Sequence, residues 1–243
     1  MFPGRKIKLT IAYDGTEYHG WQIQPGFRTV QSVLCEAATA LLRSPTRVVG
    51  ASRTDAGVHA NGQVGLIKTT HPIPVEHLAL GLNEFLPRDV AVLDAQEASP
   101  EFDLVGDVVS KAYRYRIHTG RIRPVRGIRF CWHYPSRLAV EAMQAAASRF
   151  VGSHDFRSFA ASIEPGENTV RTLARCEISA DQDDPATLTV DIEGNGFLHH
   201  MARILVGTLV DVGRGHWKPE QMTEILAARD RQAAGHLAPA GGL

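Results

Sequence analysis

The sequence predicts an α+β fold made of two successive strand–helix–strand halves. Three observations lead to this class. Short segments alternate polar and apolar residues with the period of a strand, longer segments repeat apolar residues with the period of a helix, and this succession occurs twice in 243 residues. No low-complexity linker separates the halves, which we assign to residues 1–107 and 108–243. We expect a largely antiparallel sheet with helices packed on it, and halves that pack as one unit around a cleft.

The first half begins with a strand. Residues 6–13 alternate in character and stop at Asp14-Gly15, a pair typical of a turn. Thr29 can cap the helix that follows, because its hydroxyl can accept a hydrogen bond from the first helical turn. The apolar positions of that helix keep the helical period: Val30, Val33, Leu34, Ala37, Ala38, Leu41 and Leu42. Further strands are predicted at 47–52, 63–68 and 90–94, with a short helix at 75–85.

The second half repeats this order. In a strand at 110–118, Tyr113 and Tyr115 share one face, while Arg114 and Arg116 share the other. The remaining predicted elements are a helix at 138–151 that ends at Gly152, strands at 173–179 and 188–193 that flank an acidic turn, and helices at 197–212 and behind Pro219.

Charge is distributed unevenly along a chain whose formal net charge is zero. Residues 111–129 carry seven cations and no acid, so the rest of the chain has a net charge of minus seven. Such a stretch suits either a phosphate-binding face or a solvated arginine-rich hairpin, and charge alone gives the two interpretations equal weight.

Three cysteines without CxxC spacing argue against disulfides and structural zinc, and they favour a reducing compartment. No apolar run approaches the roughly eighteen residues that a membrane span requires. The residues after Met1 lack the apolar core of a signal peptide. We therefore expect a cytoplasmic protein.

Asp55 is the first candidate for chemistry. It lies in a loop between two predicted strands, two residues after Arg53 and directly before Ala56-Gly57. A carboxylate held beside an arginine stays ionised and can act as a nucleophile or a base. An aspartate near glycine more often only closes a turn with its own backbone, and these residues alone favour the turn.

Longer motifs change that balance. Residues 50–59, Gly-Ala-Ser-Arg-Thr-Asp-Ala-Gly-Val-His, resemble the catalytic motif of the tRNA pseudouridine synthase A family. Four more stretches resemble motifs of that family in order and spacing: residues 13–22, 111–115, 152–159 with Arg171-Thr172 beyond them, and 197–207. One short motif can arise by chance, whereas five in register very rarely do. The resemblance covers nearly the whole chain.

The resemblance implies the pseudouridine synthase fold and an isomerase that acts on uridines 38, 39 and 40 of the tRNA anticodon arm. It also implies a homodimer that holds tRNA and needs no metal, nucleotide or redox cofactor. The reaction of the family breaks the N1–C1′ glycosidic bond, turns the uracil within the site and joins C5 to C1′. Whether the carboxylate attacks C1′ or assists elimination from the ribose stays open.

Roles follow residue by residue from the same resemblance. Asp55 matches the catalytic aspartate, and Arg203 matches the arginine that pairs with it. The helix around Arg203 is apolar enough to be buried, where an unpaired arginine would be costly. Tyr113 matches the tyrosine that stacks on the uracil, whereas Tyr115 fits a core position. Arg53 matches an arginine that helps to hold the RNA.

Target uridines in a stem are stacked, so flipping one out costs a few kcal/mol. Recognition should then rest on the shape of the RNA and on phosphate contacts. We expect the phosphate contacts to come from arginines that follow Tyr113 along the chain: Arg114, Arg116, Arg121 and Arg123.

Other candidates are weaker. As adjacent residues of a helix, His199 and His200 would point about 100° apart, and no third metal ligand follows them. We expect packing or RNA contacts for this pair, no metal site, and a loop-stabilising role for His59.

The chain departs from the family at a few positions. Members usually carry arginine where this chain has Ile23 and Val105, so RNA affinity is the property most open to change. His236 stands where threonine is usual, and we expect the last strand of the family to be absent, which would expose a sheet edge.

Two alternatives remain. One is an RNA-binding protein that has lost catalysis, although binding alone would not require Asp55, Tyr113 and Arg203 together. The other is a synthase of the same chemistry with a different RNA target, which the missing arginines make conceivable.

Overall fold

The computed structural model describes residues 4–243. The chain forms two compact units, Met1–Val108 and Val109–Leu243. Each unit contains one β-sheet together with α-helices, so the predicted α+β class is confirmed. Within residues 4–243, no helix is long and apolar enough to cross a membrane.

The first unit contains four strands and two α-helices. The strands are β1 (Arg5–Tyr13), β2 (Val48–Gly50), β3 (Ala60–Thr69) and β4 (Val90–Ala98), and the helices are α1 (Val30–Leu42) and α2 (Val75–Asn83). The strand order is β2-β3-β1-β4, and every pairing is antiparallel. Strand β1 is therefore central, because it pairs with β3 on one side and with β4 on the other.

The alternation of β1 decides which side of this sheet is buried. Ile7, Leu9 and Ile11 are fully buried and belong to one apolar core with Leu34 of α1 and Leu78 of α2. Both helices thus cover the face to which the odd-numbered residues of β1 point. This face carries the apolar residues of the period-two pattern.

Helix α1 begins where the sequence predicts. Thr29 Oγ1 accepts a hydrogen bond from Ser32 N at 3.2 Å, and Ser32 Oγ accepts one from Thr29 N at 3.2 Å. This reciprocal capping box satisfies N–H groups that would otherwise lack a partner at the start of the helix.

The second unit contains five strands and three α-helices. The strands are β5 (Lys111–His118), β6 (Trp132–His133), β7 (Gly152–Asp155), β8 (Val170–Ala180) and β9 (Thr187–Gly194), and the helices are α3 (Val140–Ala147), α4 (Met201–Gly213) and α5 (Gln221–Ala228). The strand order is β6-β5-β9-β8-β7, antiparallel except for the short parallel pairing of β5 with β6. Neither β6 nor β7 was predicted, because segments of two and four residues are too short to show a period.

Helix α4 lies at the centre of the second core, where every one of its residues except Arg203 is buried. The sequence predicted that this helix begins at residue 197, but it begins at Met201. The reason is that His200 adopts a left-handed backbone with φ of 62°, which an α-helix cannot contain. Helix α3 is also shorter than predicted, and a 3-10 turn at Ser148–Phe150 completes the segment before Gly152.

Candidate active site

Asp55 lies in the loop that joins β2 to β3, and its side chain is half-buried. Val58 N donates a hydrogen bond to the Asp55 carbonyl oxygen at 3.2 Å. Gly57 has φ of 77°, a conformation that glycine adopts without a steric penalty. The predicted turn is therefore present, but a main-chain hydrogen bond closes it, so the turn does not depend on the Asp55 carboxylate.

The loop is clamped by the segment that precedes α1. Trp21 N donates to Thr54 O at 3.0 Å, and Gly57 N donates to Tyr18 O at 3.1 Å. The hydroxyls of Tyr13 and Thr54 are 2.8 Å apart. These three hydrogen bonds hold the loop on both sides of Asp55. Two motifs that 27 residues separate in the sequence thus fold as one structure.

Two glycines allow this close approach. A Cβ on Gly20 would lie 2.6 Å from Thr54 O, and Gly20 also has φ of 80°. A Cβ on Gly15 would lie 1.9 Å from Val58 O. Both distances are well inside van der Waals contact, so any larger residue would push the loop away. The sequence indicated a turn at Gly15 but neither of these two close approaches.

Asp89 and Arg28 hold the side chain of Tyr18 in place. Its hydroxyl donates to Asp89 Oδ1 at 2.6 Å, and Arg28 Nη1 contacts Asp89 Oδ2 at 3.1 Å. The Arg28 guanidinium also lies 4.3 Å from the centre of the Tyr18 ring. Burial, with the Asp89 carboxylate, raises the pKa of Tyr18 above its ordinary value. Tyr18 therefore stays protonated and keeps its hydrogen bond at physiological pH.

His59 closes the other end of the loop, in the role expected from the sequence. Its Nδ1 lies 3.0 Å from Gly15 N and 3.2 Å from Asp14 Oδ1. His59 thus links the end of the loop to the Asp14-Gly15 turn.

Arg53 lies two residues before Asp55, and the family resemblance predicts that it helps to hold the RNA. Its side chain is exposed and forms no hydrogen bond or ion pair with any of residues 4–243. Its charge is therefore not engaged by another side chain in this part of the chain.

In the second unit, Tyr113 and Tyr115 have different environments although they lie on the same face of β5. Tyr115 is fully buried, and its hydroxyl donates to Pro239 O at 2.7 Å. Tyr113 is half-buried, and its ring meets that of Phe197 edge to face with centroids 4.7 Å apart. The core position predicted for Tyr115 is confirmed, and Tyr113 keeps part of its ring accessible.

Arg203 occupies the first turn of α4, as its third residue. The helix dipole disfavours a cation at this end, so propensity does not explain the residue. Its Nε donates to Ala238 O at 2.9 Å, and Ala238 N donates to Arg203 O at 3.2 Å. The arginine is thus held by a pair of hydrogen bonds from the closing segment of the chain.

That closing segment, residues 235–238, is here called the strap. Gly235 N donates to Thr208 Oγ1 at 3.0 Å. A Cβ on Gly207 would lie 1.8 Å from His236 O, so only glycine lets the strap lie directly on α4. His236 Nδ1 contacts Asp211 Oδ2 at 3.2 Å. The histidine that replaces the usual threonine therefore contributes a further strap contact.

The arginines of the basic stretch fall into two groups. Arg114 forms a bidentate pair with Asp191 at 2.7 and 2.9 Å, and Arg116 contacts Asp181 at 2.8 Å. The Asp191 carboxylate raises the pKa of Arg114 further. The exposed Arg121 and Arg123, in the loop after β5, have no such partner within residues 4–243.

The geometry expected for His199 and His200 is wrong. These residues precede α4, and their rings lie 3.8 Å apart with a tilt of 38°. The left-handed backbone at His200 brings the two side chains together, whereas a helix would separate them. His199 Nδ1 also lies 2.7 Å from Ser162 Oγ.

Comparison with known proteins gives consistent results. A family model described as tRNA pseudouridine synthase matches residues 9–104 and 146–243. The "tRNA pseudouridine synthase A" of Pelobacter propionicus is 45% identical over 240 residues, which cover 98% of this chain and 97% of the relative. Proteins of the same name from Moorella thermoacetica and Geotalea uraniireducens are 44% and 42% identical over 239 residues, with 98% of this chain and 96% and 97% of the relatives covered.

Proposed function

Because the chain belongs to the tRNA pseudouridine synthase family, we propose that it uses Asp55 to modify uridines 38, 39 and 40 of tRNA. The enzyme is an isomerase with the pseudouridine synthase fold, and it converts uridine to pseudouridine in the anticodon stem-loop. The clamp on the Asp55 loop is the observation that supports this residue most strongly. Three hydrogen bonds and two obligatory glycines hold the main chain around one half-buried carboxylate.

The chemistry needs one well-placed carboxylate. Asp55 either attacks C1′ or assists elimination from the ribose, and in both cases the N1–C1′ bond breaks while the uracil stays bound. The uracil then turns, C5 bonds to C1′, and the C5 proton is removed. Since nothing leaves the site, the protein contributes positioning and electrostatic stabilisation. This route uses side chains alone and requires no cofactor.

Tyr113 and Arg203 are proposed as the companions of Asp55. The partly accessible ring of Tyr113 offers a face on which the uracil can stack. Arg203 is proposed to keep the carboxylate ionised and oriented. The fixation of Arg203 by the strap supports this role, because a charge partner must itself be held in place.

Phosphate contacts are proposed for Arg53, Arg121 and Arg123, whose charges are not engaged with carboxylates in residues 4–243. Arg114 and Arg116 are assigned weaker contacts, since each phosphate must compete with a carboxylate already in place.

We also propose that the enzyme works as a cytoplasmic homodimer.

The central test uses unmodified tRNA with uridine at positions 38, 39 and 40. Pseudouridine is mapped by carbodiimide treatment and primer extension, and tRNA affinity is measured in parallel. The wild-type protein should give stops at those positions. Asp55→Ala should lower the rate by on the order of 10³-fold or more while tRNA binding is retained. Asp94→Ala, an exposed carboxylate on β4, serves as the matched control and should behave as wild type.

The alternatives give different results. Identical primer-extension traces for wild type and Asp55→Ala would exclude catalysis by Asp55 and would favour an RNA-binding protein that has lost catalysis. Asp55-dependent stops at other positions, or in another RNA, would retain the chemistry but replace the target.

A further inference from the structure

An exposed aromatic pair lies in the loop between β1 and α1. The rings of His19 and Phe27 are 4.3 Å apart with a tilt of 43°. Phe27 is 51% exposed, and His19 is also exposed. One side of the phenylalanine is thus supported by the histidine, while much of the ring faces solvent.

The loop that carries this pair is internally bonded. His19 N donates to Arg28 O at 2.9 Å, which closes the loop at its base. Gln24 Nε2 donates to His19 O at 2.9 Å, and Phe27 N donates to Gln24 O at 3.2 Å. The two rings are therefore presented by a preorganised loop, which lowers the entropy that a ligand must remove on binding.

The pair is next to the Asp55 loop. Gly20 follows His19 directly, and a Cβ on Gly20 would lie 2.6 Å from Thr54 O and 3.1 Å from the Asp55 carbonyl carbon. Consecutive Cα atoms are about 3.8 Å apart. His19 is therefore the neighbour of a residue, Gly20, that packs directly against the main chain of Thr54 and Asp55.

We propose that Phe27, backed by His19, is a stacking platform for the nucleobase adjacent to the flipped uridine. This inference rests on the proposed function. When a uridine leaves the stack, its neighbour loses a stacking partner, and that loss is part of the cost of flipping. An aromatic ring that covers the uncovered base face restores the lost contact and stabilises the flipped state.

The chemistry of the loop favours a base over a phosphate. Its one cation, Arg28, is held by Asp89 at 3.1 Å. Ile23 in the same loop is 45% exposed. The loop therefore offers apolar and aromatic surface, and nucleobase faces are the part of RNA that matches such a surface. The platform should accept any base, with purines bound more tightly because their faces are larger.

Affinity measurements test the platform. Phe27→Ala in an Asp55→Ala background should weaken binding of an anticodon stem-loop RNA about tenfold, and His19→Ala should have a smaller effect. The salt dependence of binding should not change, because stacking releases no counterions. Phe27→Trp should restore affinity. Phe85→Ala removes a phenylalanine that is 52% exposed elsewhere in the same unit, and it should bind as the parent protein does.

A fluorescent base locates the contact. With 2-aminopurine beside the target uridine, the complex should stay quenched with Phe27 present and become brighter with Phe27→Ala. If Phe27→Ala leaves both the RNA affinity and the 2-aminopurine fluorescence unchanged, the platform is overturned. It is also overturned if Phe27→Ala reduces self-association of the protein but not its affinity for RNA. Neither result depends on turnover, so failure of the platform can be distinguished from failure of the assignment to Asp55.

Discussion

Arg203 and Ala238 hold each other through two hydrogen bonds, although 35 residues separate them in the chain. The guanidinium Nε donates to the Ala238 carbonyl, and the Ala238 N–H donates to the Arg203 carbonyl. One contact fixes the side chain and the other fixes the backbone that bears it. The proposed charge partner of Asp55 is therefore positioned by the strap as well as by its own helix.

Displacing the strap should impair catalysis more than tRNA binding. In Gly207→Ala, the new Cβ would lie 1.8 Å from His236 O, so the strap must move away from α4. We expect kcat to fall by about tenfold or more with KM for tRNA nearly unchanged, because a small misplacement of a catalytic group is costly. Gly62→Ala, which places its Cβ in open space, is the control. Equal kcat values for the two variants would contradict this role of the strap.

The hydroxyl of Tyr13 should matter through the loop of Asp55. Tyr13→Phe removes the 2.8 Å contact with Thr54 Oγ1 and leaves the ring in place. We expect a loss of about 1 kcal/mol in the free energy of unfolding, together with a lower kcat at unchanged tRNA affinity. Denaturant unfolding and single-turnover rates measure the two effects. Tyr134→Phe removes a hydroxyl of the second unit that makes no hydrogen bond within residues 4–243, and it serves for comparison. A Tyr13→Phe rate equal to that of wild type would show that the clamp tolerates this loss.

Gly20→Ala should be among the more damaging changes in the first unit. The substitution combines an unfavourable φ of 80° with a Cβ placed 2.6 Å from Thr54 O. We expect a destabilisation of roughly 1–3 kcal/mol from the strained backbone alone, seen as a lower midpoint of thermal unfolding. Gly26→Ala has a similar φ of 79° but open space around its Cβ. The difference between these variants isolates the clash with the loop, and equal midpoints would show that the clash is relieved cheaply.

The hydrogen bond from Tyr18 to Asp89 should appear in the alkaline stability of the protein. Folding raises the pKa of Tyr18, so the folded state binds this proton more tightly than the unfolded state does. The resulting stabilisation is complete below about pH 10, the ordinary tyrosine value, and is lost as pH rises beyond it. Tyr18→Phe should therefore be less stable than wild type at neutral pH, and the gap should narrow above about pH 10. Unfolding curves across this range decide the matter, since a constant gap would exclude the linkage.

The two groups of arginines should differ in their effect on salt dependence. Arg121→Ala/Arg123→Ala should weaken tRNA binding and reduce the slope of log affinity against log salt by roughly 0.7–0.9 for each lost phosphate contact. Arg114→Ala should change the slope less, because Asp191 already neutralises that charge. Filter binding at several salt concentrations measures both slopes. An unchanged slope for the double variant would remove the loop after β5 from the RNA interface.

Local sequence signals predicted the regular elements well. Strand β1 and helix α1 were predicted because burial on one face imposes a period that a short stretch of sequence displays. The cap at Thr29 was predicted because the hydrogen bonds that define it lie within four residues of the chain. Tyr115 was assigned to the core from its position and alternation in β5, and its complete burial agrees.

Signals of this kind fail where a distant residue decides the conformation. The start of α4 depends on the backbone of His200, which no periodicity encodes. Arg114 and Arg116 looked like free cations because their carboxylate partners are 77 and 65 residues further along the chain. With 26 acidic residues in the sequence, no local rule selects those two.

The sequence by itself determined the α+β class, the family and the residues for which catalytic roles are proposed, because each depends on local patterns or on motifs that are contiguous in the chain. Only the tertiary structure decided how those residues are held. The clamp of Tyr13, Tyr18 and Trp21 on the Asp55 loop joins separate motifs through two main-chain hydrogen bonds and one between side-chain hydroxyls. The strap on Arg203 does the same between α4 and the closing segment. Such contacts depend on the distance between backbones after folding, and residue types alone do not specify that distance.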